Sequence, residues 1–480
     1  MSHPNIVLIM TDQQRADFFK SEGFALDTMP FVEALGAQGT RFRHAYTPNP
    51  TCAPARCAML SGRFPKASRV CENGDIKNIF GTDDLLNVLR AQGYALYLAG
   101  KNHSYRETAE FDSARDYHHT GVHGNQKTDA EAAFDQWLFS LNHGVAPEAA
   151  SFPLECQLPY RIVRDAIAHI DSRDKDRPFF LWLSFPEPHN LYQVPEPYFS
   201  LFPEDEIPAP LTCAGDGAGK GPKWRWMQHL IESKRPGYRQ AWCRYRANYC
   251  GMIRLIDDQV KRFVEYVDAI GQRENTLFIF TSDHGDYAGD YGLQRKGVGL
   301  PECLVRVPFV WHGPGVSRGE VREEFVSLVD IMPTLCDLIG VEVPYGVQGR
   351  SLWPMLSGQS FDARPFASIY AELDFGGGFY DEDERTPLHF PYEGPTFDEL
   401  NSVTQSGKLK MARKGRWKLL FDHTGQGELY DLERDPYELN NLWAADEYRD
   451  VRQEMTEELL RWTIGTEDDL PNGTYIPKPW

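Results

Sequence analysis

The sequence predicts an α/β protein. A mostly parallel central sheet with helices on both faces is expected over residues 1–358, and a smaller α+β domain with an antiparallel sheet over residues 359–480. Three observations carry this. Uninterrupted apolar runs of strand length recur at residues 5–10, 94–99, 179–184 and 276–280, as expected of strands buried on both faces. Stretches with helical apolar spacing lie between them, several of them stopped by glycine. After Gly358 the texture changes to closely spaced short strands and one amphipathic helix. A chain of 480 residues also exceeds what one small core needs.

In order, residues 5–10 (Asn-Ile-Val-Leu-Ile-Met) form the first strand and hand over to Thr11-Asp12-Gln13-Gln14-Arg15. Residues 30–38 read as a short helix closed by Gly39, and 41–46 as a strand. Residues 82–92 form an amphipathic helix with Leu85, Leu86, Val88 and Leu89 inward, ended by Gly93. The strand at 94–99 delivers Gly100-Lys101-Asn102-His103. Helices are expected at 127–141 and 159–171, and the strand at 179–184 ends in Phe185-Pro186-Glu187-Pro188-His189. Residues 201–238, rich in Pro and Gly, read as an insertion or lid. Residues 240–270 form the longest helix, with Trp242, Tyr245, Tyr249, Met252, Ile256 and Val260 at helical period. Strands at 276–280 and 306–311 and a helix at 330–339 complete the first domain. The second has strands at 368–373, 409–413, 417–421 and 428–430 and a helix over 446–462 whose apolar face carries Tyr448, Val451, Met455, Leu459 and Trp462. Residues 375–401 read as a long irregular loop. No internal repeat is visible.

The stretch 50–65 stands apart. Cys52 falls at the start of a helix, Pro54 is tolerated in the first turn, and Arg56 lies one turn on. Backbone N–H groups and the helix dipole there favour an anion. Taken alone, Cys52 reads as a buried structural thiol.

Lys and Arg number 50 against 69 Asp and Glu, a net charge of −19, which argues against a nucleic-acid or anionic-membrane partner. No stretch is apolar for long enough to span a bilayer. The first residues pass directly into a strand pattern without a secretory leader, so a cytoplasmic location is expected, or a periplasmic one if a leader has been removed. Nine scattered cysteines without paired CxxC spacing read as reduced thiols. Oligomeric state is not legible.

The polar clusters share one kind of place: Asp12-Gln13, Cys52 to Arg56, Lys101 to His103, His189 and Asp283-His284 all lie at or just after predicted strand ends. In a parallel sheet such ends converge on one rim. Asp12, Asp283 and the Gln13 carbonyl offer hard oxygen ligands and His284 a nitrogen, a set suited to Ca²⁺, Mg²⁺ or Mn²⁺. Arg56, Lys101, His103 and His189 gather positive charge in an acidic protein, which an anionic substrate explains. Each residue singly has a plainer role, such as Asp12 as a helix cap or Lys101 as a solvated charge; their recurrence at strand ends reverses that reading.

These residues also carry a resemblance. Cys52-x-Pro54-x-Arg56 with Leu60-Ser61-Gly62-Arg63 resembles the modification signature of the type I sulfatases of the alkaline phosphatase superfamily. Gly93-Tyr94 followed by Gly100-Lys101-x-His103 resembles their second signature. Asp283-His284-Gly285, Arg306-Val307-Pro308, Asp330-Ile331-Met332-Pro333-Thr334, Gly349-Arg350-Ser351-Leu352 and Glu428-Leu429-Tyr430-Asp431-Leu432 are similar too, so the likeness spans nearly the whole chain. Two positions depart: Ala55 stands where many members have Ser, and Gln13 where some have a second Asp.

The resemblance implies an alkaline-phosphatase-like fold and oxidation of Cys52 to formylglycine by a formylglycine-generating enzyme or an anaerobic maturase. It implies one divalent metal, most simply Ca²⁺, on Asp12, Gln13, Asp283 and His284. The hydrated aldehyde would attack sulfur, with Arg56 holding the nucleophile, Lys101 and Lys296 stabilising charge, Lys296 and His189 assisting the departing alcohol, and His103 acting as base. A small anionic substrate follows, a sulfate ester, with a phosphonate monoester or phosphodiester as the alternative. Trp224, Trp226 and Trp242 beside Lys223, Arg225 and Lys234 suggest a sugar platform, although Trp242 on its long helix reads better as core. His118, His119 and His123 form either one wall of the pocket or a polar loop.

Overall fold

The structure is a computed structural model and describes residues 3–81, 83–122, 127–142, 144–234, 236–374, 408–467 and 470. The predicted loop 375–401, His123 and the side chains of Trp226 and Lys234 lie outside the described residues.

An eight-stranded sheet runs through the larger part of the molecule. Its strands are β1 (Asn5–Asp12), β2 (Thr40–Tyr46), β3 (Ala95–Gly100), β4 (Ser113–Asp116), β5 (Phe179–Pro188), β6 (Thr276–Ser282), β7 (Phe309–His312) and β8 (Glu320–Ser327), in the order β4-β3-β5-β1-β6-β7-β2-β8. Every pairing is parallel except the two made by β7. β1 is central because its residues are buried on both faces. Val7 and Ile9 face a core with helices Pro30–Ala37, Leu158–Asp171 and Trp242–Ala269, whereas Ile6, Leu8 and Met10 face Cys52–Ser61, Leu85–Ala91 and Ile331–Leu338. Helices thus cover both faces, as predicted. Register then fixes the rim: Met10 lies beside Ser184 and Thr281, Asp12 beside Pro188, and Gly100 beside Ser184.

A second sheet, β12-β11-β10-β9, is antiparallel throughout and comprises β9 (Ser368–Asp374), β10 (Lys408–Lys414), β11 (Trp417–Asp422) and β12 (Gly427–Asp431). Helix Arg449–Gly465 buries Met455 and Leu459 against it. Two apolar clusters run from one sheet to the other, one joining Tyr46, Leu300 and Val305 to Ile369 and Met411, the second joining Ala58 and Phe64 to Tyr370 and Leu419. No helix among the described residues is long and apolar enough to cross a membrane.

The differences from expectation have physical causes. β4 and β8 were not anticipated: both are edge strands rich in charge, which is how edges avoid further pairing and what hides them from an apolar search. The strand expected at 306–311 begins at Phe309 and runs antiparallel, a direction that side-chain periodicity does not encode. The helix expected from residue 82 starts at Leu85, because the Asp84 carboxylate accepts the Asn87 N–H and caps it there. Residues 201–238 contain helices Ala214–Gly219 and Pro222–Lys234. Trp224 is buried there against Tyr287 and Tyr291, and Trp242 packs against Tyr245 and the main core, so neither forms a sugar platform. Lys223 instead pairs with Asp422 of β11 at 2.7 Å, and Lys220 donates to the Tyr430 hydroxyl at 2.8 Å.

Candidate active site

Residue 52 opens helix Cys52–Ser61, which is buried along its whole length. Thr51 makes no side-chain cap; the Ala53 N–H is accepted by the Asn73 side chain at 3.1 Å. The helix start faces the rim formed by β1 and β6. Cys52 Sγ lies 3.2 Å from His284 Nε2 and 3.7 Å from Asp12 Oδ1. One potential ligand atom from each of Asp12, Cys52, Asp283 and His284 falls within 4.8 Å of the others, all of them buried.

Arg56, fully buried, ties this cluster together. Nε donates to Asp283 Oδ2 at 2.9 Å, Nη1 to the Lys101 carbonyl at 2.9 Å and to Ser184 Oγ at 2.8 Å, and Nη2 lies 3.5 Å from Asp12 Oδ2. Lys101 Nζ is in contact with Asp12 Oδ2 and lies 2.9 Å from His119 Nε2. Lys101 reaches this point because Gly100 lets β3 press against β5: a Cβ at Gly100 would stand 1.7 Å from the Ser184 carbonyl oxygen, at a φ of +112°. His119 stacks on His189 at 3.9 Å between ring centres, and His189 Nε2 lies 3.3 Å from Lys296 Nζ. Lys296 Nζ also donates to Gln13 Oε1 at 3.3 Å.

Gln13, at a φ of +69°, is the most elaborately held of the set. Its backbone N–H donates to Asp283 Oδ1 at 3.0 Å, and its amide nitrogen donates to Asp286 Oδ2 at 2.7 Å and Tyr192 Oη at 3.2 Å. Tyr249 Oη donates to the Gln13 carbonyl at 2.7 Å and accepts from the Arg15 N–H at 3.0 Å. Tyr245 Oη donates to Asp286 at 2.7 Å.

The charges explain one another. Burial pushes the Asp12 carboxyl up, but Lys101, His189 and Arg56 reverse this and hold it well below the usual range. Asp283 is pushed up by burial and by the neighbouring Asp12 carboxylate. Burial and Asp12 raise the Cys52 thiol, yet Lys101, Lys296 and His284 outweigh them and bring it to about 6. Cys57, five residues on, has no lysine beside it, and burial outweighs Arg56 and pushes it up to about 12. His189 is held neutral by burial and Lys296. His103 follows Lys101 at a φ of +45°; burial, Lys101 and Arg56 lower it to about 3, and its Nδ1 has no partner among the described residues.

All ten residues expected from the sequence therefore converge on one rim. Sequence reasoning missed Ser184 and the Tyr192, Tyr245, Tyr249 and Asp286 network; Tyr245 and Tyr249 were counted as apolar helix face, and their spacing holds no sign that their hydroxyls reach Gln13 and Asp286. Of the two readings of the 118–123 segment, His119 takes the pocket wall, whereas His118 makes a backbone bridge to Gly121. Two buried carboxylates, an imidazole and an amide oxygen fit a hard divalent cation, and the pair Asp12 and Asp283, of which burial and mutual repulsion push one up, is the arrangement a cation relieves.

A doubly covered α/β sheet whose strand ends assemble a perturbed thiol, an acid pair able to hold a cation and two lysines has the parts of a hydrolase for a tetrahedral oxyanion ester. Residues 4–341 match the family model described as Sulfatase. The chain belongs to the sulfatase family, the type I sulfatases of the alkaline phosphatase superfamily, and is a sulfuric ester hydrolase. It is 30% identical to an arylsulfatase of Clostridium perfringens over 99% of this chain and 97% of that one. It is 23% identical to an N-acetylglucosamine-6-O-sulfatase of Bacteroides thetaiotaomicron, over 98% and 88%. Among solved structures, the phosphonate monoester hydrolase of Agrobacterium radiobacter superposes with a TM-score of 0.77 at 25% identity, covering 97% of this chain and 96% of that one.

Proposed function

We propose that the protein hydrolyses a sulfate monoester carried on a saccharide, with residue 52 as formylglycine and one divalent cation, Ca²⁺ foremost, held by Asp12, Gln13, Asp283 and His284. The observation that supports this best is residue 52 at a helix start, 3.2 Å from His284 and flanked by Lys101 and Lys296 in a protein of net charge −19. The saccharide reading rests on the N-acetylglucosamine-6-O-sulfatase relative. When bound, the ion draws charge from the sulfate oxygens and from the nucleophile. Formylglycine supplies, as its hydrate, an oxygen nucleophile with a second hydroxyl through which the aldehyde is regained.

The chain's own residues do the rest. Arg56 fixes Asp283 and Asp12 and offsets charge beside residue 52. Lys101 and Lys296 present ammonium groups where negative charge grows on the sulfate, in a desolvated site where each counts most. Lys296 and the neutral His189, 3.3 Å apart, are placed to pass a proton to the departing alcohol oxygen. His103, whose Nδ1 has no partner among the described residues, offers a free nitrogen to take one. Because residue 52 is 2% exposed, a maturation enzyme must act before its helix is buried.

Mass spectrometry of the peptide across residue 52 is expected to show formylglycine; fully active protein with an unmodified Cys52 would refute the mechanism. Parallel release assays on sulfate and phosphonate esters test the substrate class, a reading the Agrobacterium structure makes necessary; a large preference for phosphorus overturns the sulfate choice. Chelation is expected to abolish turnover, with Ca²⁺ restoring it.

A further inference from the structure

A cavity of about 520 Å³ lies at the seam between the two sheets, and none of the ten active-site residues lines it. Five arginines face it, namely Arg15, Arg43, Arg246, Arg306 and Arg413, against the four acids Asp17, Glu22, Asp290 and Glu302. Four of the arginines have a carboxylate. Arg15 pairs with Asp17 at 2.6 Å and Asp290 at 2.7 Å, Arg306 with Glu22 at 2.7 Å, Arg413 with Glu302 at 2.7 Å, and Arg43 with Glu323 at 2.7 Å.

Arg246 is the exception. It is 2% exposed, its Nη1 donates to the Ala288 carbonyl at 2.8 Å, and its Nε has no acceptor among the described residues. No carboxylate of the described residues stands within 4.0 Å of it, and the four lining acids are already engaged by other arginines. Burial and the nearby Arg15 hold its guanidinium below its usual value. Asp290 and Asp17 act on it only from beyond contact distance, and a buried guanidinium with no carboxylate in contact is costly unless an anion meets it. Its Cζ lies 5.0 Å from the Phe18 ring centre, and Arg15 Cζ lies 5.2 Å from the same centre. Phe24, Leu211, Leu432 and Pro436 add apolar wall from both parts of the molecule, and the volume suits a small organic molecule.

We propose that this cavity is a second ligand site, for a small organic monoanion whose carboxylate or sulfonate meets Arg246 and whose apolar body packs on Phe18 and Leu211. Because Arg413 comes from β10 of the smaller sheet and Leu432 and Pro436 from the segment that follows β12, such a ligand bridges the seam. The site stands independently of the assignment of the catalytic centre.

Benzoate and benzenesulfonate, titrated calorimetrically at constant ionic strength, test this and separate the two head groups. Saturable one-to-one binding of at least one probe is expected, with a rise in melting temperature. Arg246→Gln should weaken it at least tenfold, as should Ala25→Glu, which puts a negative charge at the exposed mouth without touching the core. Lys101→Ala, which disarms the catalytic rim, should leave that binding intact. Absence of saturable binding to the wild-type protein overturns the proposal. So does unchanged affinity in both cavity variants, or loss of binding in Lys101→Ala.

Discussion

At the scale of the residue, Arg56 shows how much one side chain carries. Its guanidinium contacts Asp283, Asp12, the Lys101 carbonyl and Ser184 at once, all of them buried. A lysine would supply the charge but not this planar fork. Arg56→Ala is expected to leave Asp283 without its guanidinium partner, while Asp12 keeps Lys101, and to cost about 3–5 kcal/mol of stability. Chemical denaturation measures this. Arg56→Lys should fold better than Arg56→Ala yet lose at least about 100-fold in kcat/KM, since misplacing catalytic groups by an ångström has that effect. The contrast between Cys52 and Cys57 belongs here too. Both are buried cysteines in one helix, and the lysines and His284 around the first separate about 6 from about 12. The signature Cys-x-Pro-x-Arg marks which cysteine matters, but the lysines that act on it come from residues 101 and 296.

At the scale of the element, strand spacing and helix caps place the site. Gly100→Ala would drive a Cβ into the Ser184 carbonyl and force β3 away from β5, carrying Lys101 with it. Lower melting temperature together with a drop in kcat larger than the change in KM is the expected outcome. A second element-scale device is Asp257 of the long helix, whose two carboxylate oxygens accept the Phe31 and Val32 N–H groups at 2.8 and 2.9 Å and so cap helix Pro30–Ala37 from outside. Asp257→Ala should cost about 1–2 kcal/mol. Burial pushes the Asp257 carboxyl up to about 7 in spite of those bonds. A carboxyl raised on folding binds its proton more tightly in the native state, so this group's contribution is full below about 4 and is lost as pH rises through about 7. The difference in stability between wild type and Asp257→Asn, followed from pH 4 to pH 8, should slope in that sense, and a flat difference would exclude it. Neither Gly100 nor Asp257 was distinguishable in the sequence, because the atoms they meet are 84 and more than 220 positions away.

At the scale of the whole molecule, the two sheets are joined by apolar clusters and by one buried ionic knot. Lys418 of β11, fully buried, donates to the Leu300 carbonyl at 2.6 Å and meets Glu302 at 3.0 Å and Glu438 at 2.8 Å. Residues 300 and 302 end the loop that carries Lys296. Lys418→Met is expected to strand the buried Glu438 carboxylate while Glu302 keeps Arg413, at about 3–5 kcal/mol, and to reduce turnover by loosening that loop. Lys414→Ala, at an exposed pair with Glu454, should change stability by less than about 1 kcal/mol. Denaturation and kcat measured on both variants check the contrast.

By itself the sequence determined the α/β class, the second antiparallel sheet, the helix that begins at Cys52 and nine of the ten residues of the rim, Lys296 resting on the family resemblance alone. It did so because strand-length apolar runs, glycine stops and polar residues at strand ends are local signals that survive without neighbours. Tertiary structure alone decided that β7 runs backwards, that Trp224 is core rather than sugar platform, and that Tyr245, Tyr249 and Asp286 hold Gln13 in place. It also decided which of the five arginines lining the seam cavity has no carboxylate in contact among the described residues. These depend on what lies across a sheet or a seam. Burial and charge pairing are relations between distant residues, and a single sequence gives their members without saying which of them meet.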